Sequence, residues 1–320
     1  MTNIIIKERI LVTGANGFVG AHLVDKLLGS GFSVNAAVRK GWSEAPEGVE
    51  IISVGDFSLP IDWSAALNDI STVIHLAARV HQMDESPEMA LEESRSINTH
   101  ATLELAKQAA KFGIKRFIYL STIAINGAFT APNEFFTEES DLNLKSSYAI
   151  SKYEAELGLK KIAQQYPMEV VIIRPPMVYG KNAPGNFSRL VSLVKTRIPL
   201  PFGLANNLRS FIFIQNLVNF IVLCIKHPAA GNELFLASDD DDISLHNLIC
   251  QISNNLQLRA NVFKFHLGFL EMTLMMISSK DLSNQLLKPM RINATKARKL
   301  LGWIPSFSSA EGLIASIKDR

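Results

Sequence analysis

A short, largely apolar run, Arg9-Ile10-Leu11-Val12-Thr13, passes directly into Gly14-xx-Gly17-xx-Gly20 and then into a stretch with helical spacing, Ala21 to Leu28. Nothing else in the chain restricts the fold as much. In a dinucleotide-binding βαβ unit the first glycine permits a tight turn and the second lets the backbone approach a pyrophosphate. The third packs helix on strand, and the phosphate sits at the helix N-terminus. Asn16, Phe18 and Val19 lie between the glycines, so Gly14, Asn16, Gly17, Phe18, Val19 and Gly20 form the candidate cofactor loop.

The chain then alternates as a parallel α/β sheet requires. Strands are predicted at 33–38, 49–53, 73–77, 116–121 and 170–174, and long helices at 98–112 and 148–165. After Tyr179-Gly180 the pattern loosens into loops and shorter elements. The expected fold is α/β, a Rossmann-type doubly wound parallel sheet with a smaller α/β substrate-binding lobe. Residues 1–180 would form the dinucleotide-binding domain and 181–320 the lobe, with 209–235 returning to the first domain.

Composition excludes several classes. A chain of 320 residues, 48% of them hydrophobic, has enough apolar material for one large domain or two lobes. Its formal net charge of +2 comes from dispersed basic residues, so no stripe that would track nucleic acid is present. Cys224 and Cys250 are the two cysteines, without CxxC or His-rich spacing. That argues against a disulfide framework or a metal site and predicts buried thiols in helices. Met1 to Ile6 lack an apolar leader core and a small-residue cleavage site, which makes a cytoplasmic protein the expectation. Two apolar stretches, 218–225 and 263–277, are respectively too short to span a bilayer and interrupted by Lys264, His266 and Glu271. Both are expected as buried or subunit-facing helices, without membrane insertion.

Tyr148 and Lys152 carry the chemistry. A phenol with an ordinary pKa near ~10 is a poor base at neutral pH, whereas a cation one helical turn along favours its ionised form. Together with a dinucleotide loop, the pair indicates hydride transfer at a carbon bearing a hydroxyl or a ketone.

These motifs resemble those of the extended short-chain dehydrogenase/reductases, in the branch of nucleotide-sugar epimerases, dehydratases and reductases. The resemblance runs nearly end to end. Beyond the glycines and Tyr148-xxx-Lys152 it includes Asp56-Phe57, His75-Leu76-Ala77-Ala78, Asn98, Ser121-Thr122, Arg174-Pro175-Pro176, Arg209-Ser210-Phe211-Ile212 and the closing run Lys296 to Trp303. It implies that Asp56, with Phe57, contacts adenine, and that His75 to Ala78, with Leu76 and Ala77 between them, form the loop beside the nicotinamide-side phosphates. Asn98 and Pro175 are implied as further cofactor contacts. Thr122 matches the catalytic hydroxyl, with Ser121 as its neighbour. Lys152 would bind the nicotinamide ribose and lower the tyrosine pKa, helped by the positive charge of the oxidised cofactor. Asn186 and Arg209 resemble the groups that hold the substrate's diphosphate, with Arg291 a second phosphate candidate. By residue type alone, Asp56 is also a turn acid and Asn98 a helix cap.

Cofactor choice turns on the end of the second strand, Ala37-Val38-Arg39-Lys40, where no carboxylate stands to accept ribose hydroxyls and Arg39 can face a 2′-phosphate. NADPH is therefore favoured, with NAD the alternative. The dehydratases of the family carry two acids directly after the catalytic threonine, where this chain has Ile123 and Ala124. A 4-ketoreductase of the UDP-N-acetylquinovosamine type, in surface-polysaccharide synthesis, is slightly preferred to a 4-epimerase acting on UDP-glucose or UDP-N-acetylglucosamine. A non-catalytic cofactor sensor is the third reading, disfavoured because tyrosine, lysine and threonine are all present. The resemblance also implies a homodimer through the helices beginning near Asn98 and Tyr148.

Overall fold

The computed structural model describes residues 8–80, 86–277 and 280–317. They divide into two compact units. The first takes the described residues through Ile125, Leu144–Arg174 and Val218–Phe235, and the second takes Asn126–Asn143, Pro175–Leu217 and the described residues from Leu236 onward.

In chain order the strands are β1 (Arg9–Thr13), β2 (Ser33–Val38), β3 (Val49–Ser53), β4 (Thr72–His75), β5 (Arg116–Leu120), β6 (Glu169–Arg174), β7 (Met177–Tyr179), β8 (Leu208–Arg209), β9 (Phe211–Phe213), β10 (Leu234–Leu236) and β11 (Ile243–Ser244). The helices are α1 (Phe18–Gly29), α2 (Ser64–Leu67), α3 (Pro87–Ser94), α4 (Thr102–Lys111), α5 (Ser147–Gln165), α6 (Asn186–Lys195), α7 (Ile214–Lys226), α8 (Leu245–Asn255), α9 (Leu267–Ile277), α10 (Lys280–Leu287), α11 (Thr295–Leu301) and α12 (Ser309–Ile317).

The main sheet has the order β10-β6-β5-β4-β1-β2-β3. The pairings from β3 across to β6 are all parallel. Ile10, Leu11, Val12 and Thr13 are wholly buried, as expected of a central strand covered on both faces, where an apolar run is uninterrupted rather than alternating. Because the chain runs outward to β3 before returning to β4, strand order reverses between β1 and β4. Ligands of doubly wound sheets bind outside the carboxyl ends of the strands at that switch point. Arg116, at the start of β5, fastens the returning segment. Its Nη1 donates to the carbonyls of Cys224, Ile225 and His227 at 2.8 to 3.0 Å, satisfying the open C-terminal end of α7.

In the second unit, β7 pairs parallel with β9 and β11 antiparallel with β8. Tyr179, Phe187, Phe211 and Phe213 pack as a ring cluster around the β7/β9 pair. Buried Asp239 accepts from the Phe213 amide, Asn216 Nδ2 and the Tyr179 hydroxyl.

Several expectations need correcting. The helix predicted over 98–112 is a π-helical stretch, Arg95–Ala101, running into α4. Thr102 Oγ1 donates to the Asn98 carbonyl at 2.8 Å and Thr99 Oγ1 to the Ser151 carbonyl at 2.8 Å, and such side-chain bonds to backbone compete with regular α pairing. Cys224 is buried as expected, but Cys250 is only half-buried, its Sγ 3.7 Å from His246 Nε2. Residues 218–225 lie buried or half-buried within α7, whereas α9 exposes Phe269, Met272, Met275 and Met276. Among the described residues, no helix is long and apolar enough to cross a membrane.

Candidate active site

The site can be built within the first unit, beginning at the glycine turn. Gly14 has φ +65°, in the left-handed region, and a methyl group on it would lie 2.8 Å from the Ala77 amide nitrogen. A methyl on Gly20 would lie 2.2 Å from the Gly14 carbonyl oxygen, so α1 can reach this depth against β1 only without a side chain there. Gly17 caps α1 and offers no side chain to its first turn. Those amides therefore remain available to an anion.

A crevice of about 710 Å³ opens here, lined by Gly14, Asn16, Gly17, Arg39, Asp56, Phe57, Leu76, Ala77 and Ala78 together with Arg79, Ser96 and Ile97. Nine residues assigned to the cofactor from sequence thus share one wall, and the volume lies within the range of ligand clefts. Phe18, Val19 and Gly20 form the first turn of α1 behind it. The bare backbone of the turn and the open helix end fit a dinucleotide's diphosphate. Asp56 is exposed and accepts from the Ser58 amide at 2.9 Å; that bond, with Arg39 nearby, holds its carboxyl below the usual carboxylate range.

Deeper in the sheet, parallel register sets His75 of β4 beside Tyr119 of β5. Their rings stack at 5.9 Å with a 12° interplanar angle. The His75 nitrogens lie 2.7 Å from Thr13 Oγ1 and 2.9 Å from Thr102 Oγ1. Burial, aided by the nearby Lys152 charge, pushes His75 down to about 3, so it is neutral. Helix α5 starts where Ser146 accepts from the Ala149 amide at 3.1 Å. From that cap Tyr148, Lys152 and Glu156 follow at four-residue spacing on one face.

Lys152 is buried, its Nζ 4.1 Å from the centroid of the Tyr119 ring. Burial lowers it to about 7, opposed by the Glu156 carboxylate, and burial raises Tyr148 to about 12. Burial is thus the largest influence on both groups.

Glu156 is one of two residues that sequence reasoning missed here. Completely buried, it accepts from Arg174 Nε at 2.9 Å and from Ser121 Oγ, joining the ends of β5 and β6 to α5. Ser121 is thereby engaged by a buried ion pair. Thr122, the next residue, is half-buried and accepts from the Ala124 amide at 3.2 Å; the 3-10 turn Ile123–Ile125 that follows packs against α5. Asn98 is fully buried. Its amide group accepts from the Arg79 amide at 2.8 Å and donates to the Arg79 carbonyl and to Ser151 Oγ at 3.0 Å, fastening the crevice wall to the residue beside Lys152. The second such residue is His75, read from the sequence only as the start of the loop beside the cofactor phosphates; its buried bonds to Thr13 and Thr102 were not foreseen.

The substrate candidates lie in the second unit. Pro175 directly follows β6. Arg209 donates to the carbonyls of Lys288 at 2.8 Å and Ala128 at 3.3 Å, and burial lowers it to about 10, leaving it charged at neutral pH. Asn186 opens α6 and donates to Gln285 Oε1 at 3.2 Å. Arg291 is paired with Asp242 at 2.6 Å and lies over the Phe135 ring. No cluster of metal-ligating side chains occurs among the described residues.

A doubly wound sheet, an unobstructed glycine turn and a Tyr-xxx-Lys helix together define a dinucleotide-dependent enzyme of the extended short-chain dehydrogenase/reductase class. The profile of the "NAD dependent epimerase/dehydratase family" matches residues 10–236, and the chain belongs to that family. It is 37% identical over 307 residues to a UDP-glucose 4-epimerase of Vibrio cholerae, covering 95% of this chain and 93% of that one. An Escherichia coli O157:H7 protein named N-acetyl-alpha-D-glucosaminyl-diphospho-ditrans,octacis-undecaprenol 4-epimerase is 27% identical, over 78% of this chain and 73% of its own length. A UDP-glucuronic acid 4-epimerase from Bacillus cereus, solved with NAD, shares the fold with a TM-score of 0.76 at 22% identity, over 96% of each chain.

Proposed function

We propose that the protein is a UDP-hexose 4-epimerase that keeps its NAD bound through the cycle. The observation that carries this is the 37% identity, over nearly the full length of both chains, to a UDP-glucose 4-epimerase. Bound NAD would supply the acceptor, and then the donor, of the C4 hydride. The protein's part is proton handling and orientation. Tyr148 takes the C4 hydroxyl proton and returns it, Thr122 holds the same oxygen, and Lys152 fixes the ribose and supplies positive charge. Ile123 and Ala124 carry no group able to move the protons of a 4,6-dehydration.

Arg39 lines the same crevice as the Asp56 carboxylate, so a 2′-phosphate there would meet an acid as well as a cation, which supports NAD over NADP. Reduction of a 4-keto sugar with NADPH is the second reading, favoured by the missing carboxylate at the end of β2. Proton NMR of UDP-glucose and UDP-N-acetylglucosamine incubated with the enzyme, without added cofactor, separates them. Epimerisation gives the C4 epimer of one or both. Absence of any epimer, with NADPH consumed on a 4-keto sugar nucleotide, would establish the reductase instead.

A further inference from the structure

Two segments of the second unit are zipped together along 197–204 and 261–265. Leu200 donates to the Asn261 carbonyl at 2.9 Å and accepts from the Phe263 amide at 3.0 Å, and the Gly203 amide donates to the Phe263 carbonyl at 2.9 Å. Asn261 Nδ2 donates to the Arg197 carbonyl at 2.8 Å. A methyl group on Gly203 would lie 2.7 Å from the Phe263 carbonyl, so the fit is backbone to backbone.

Beyond this seam stand Phe265, just before α9, and Phe269, Met272 and Met276, which follow within α9 at intervals of three and four residues, the spacing of one helix face. They are 39%, 60%, 53% and 80% exposed, while Leu270 on the opposite face of α9 is buried. Phe263 and Ile198 are exposed as well. Phe263 and Phe265 touch edge to face, and large apolar side chains exposed this closely together are the kind that mark an interaction site.

The charge of the segments that lead into it is one-sided. Residues 186–204 and 245–277 contain Arg189, Lys195, Arg197, Arg259 and Lys264, all exposed, against a single acid, Glu271, which is paired with Lys288 at 3.0 Å. The chain as a whole has 32 basic and 30 acidic residues, so the bias is local.

We propose that this face docks on the surface of an anionic phospholipid bilayer, with the Phe and Met side chains at the boundary between headgroups and acyl chains and the five cations on lipid phosphates. Exposed rings and thioethers flanked by Lys and Arg are the composition of an interfacial anchor. Helix α9 has 11 residues, about 16 Å at 1.5 Å per residue, so it lies along the interface and does not span it. A second copy of the chain is a poorer occupant, because a two-fold interface would set the same five cations against themselves.

Flotation of the full chain with vesicles tests this without reference to catalysis. Binding is expected to vesicles of phosphatidylcholine with about one third phosphatidylglycerol at low salt. It should be weak with phosphatidylcholine alone and reduced at 0.5 M salt. Lys264→Glu with Arg197→Glu should lower affinity by more than tenfold, since each cation near such a surface contributes roughly a factor of five. Phe269→Ser with Met276→Ser should abolish flotation while the melting temperature and turnover of a soluble sugar nucleotide stay unchanged. No binding to anionic vesicles at low salt overturns the proposal, as does binding indifferent to both pairs of substitutions. Sedimentation that shows the serine variant losing a dimer, without vesicle binding by the parent, overturns it in favour of self-association.

Discussion

Replacing Glu156 tests how the catalytic helix is held. Its carboxylate is wholly buried, and its partner Arg174 has a side chain only 3% exposed. Glu156→Leu leaves a guanidinium charge without compensation in the interior and removes the acceptor of Ser121 Oγ. Breaking a buried pair from one side costs about 3–5 kcal/mol. A loss of that size lowers the melting temperature by on the order of 10 °C in a chain of this length. Arg174→Met strands the carboxylate instead and should cost as much. The double variant removes both charges, so its stability should return to within about 2 kcal/mol of the parent, because apolar replacement of a buried pair is often close to neutral. Urea titration of all four proteins measures the coupling. If the double variant loses the sum of the two single losses, the pair is not a coupled buried charge and the reasoning fails. The milder Glu156→Gln should also move the alkaline limb of turnover governed by Lys152 to lower pH, because Glu156 raises that lysine.

Tyr148→Phe should keep the dinucleotide, measured by release and chromatography, while turnover falls by on the order of 10²–10⁴. Gly20→Ala places a methyl 2.2 Å from the Gly14 carbonyl, and α1 must lift from β1; a loss of about 1–3 kcal/mol in urea together with weakened cofactor retention is expected. Lys152 sits at about 7 in the folded, cofactor-free protein against an ordinary 10.5, so between these values the unfolded chain binds more protons. The penalty for its buried charge is fully present below pH 7 and disappears as pH rises towards 10.5. The parent should therefore gain stability relative to Lys152→Met between pH 7 and 9, by up to about 1.4 kcal/mol per pH unit, and parallel stability curves would contradict the burial of an ionised lysine.

The glycine turn and the Tyr148/Lys152 pair were legible because each is local. A strand, a turn and a helix declare themselves within about 20 residues, and two side chains four apart share a helix face whatever the rest of the fold does. Glu156 continues that face, yet its partners stand 35 and 18 residues away, Ser121 just past β5 and Arg174 at the end of β6, so only the folded sheet identifies it as half of an ion pair. His75 depends in the same way on Thr13, 62 residues earlier, and on Thr102. The π-helical turn at Asn98 escapes a 3.6-residue period because side-chain bonds to backbone decide it. The exposure of α9 was hidden for the opposite reason. An apolar run is expected to be buried, and sequence does not reveal which face lacks a neighbour.

In the proposed reaction, hydride removed from C4 returns to the same carbon without leaving the enzyme. UDP-glucose carrying deuterium at C4 tests this directly, with the product examined by mass spectrometry and NMR in the presence of excess unlabelled NADH and NADPH. The expected product is a C4 epimer that retains its deuterium. Deuterium lost to the dinucleotide pool, or product formed only when reduced cofactor is added, would contradict it.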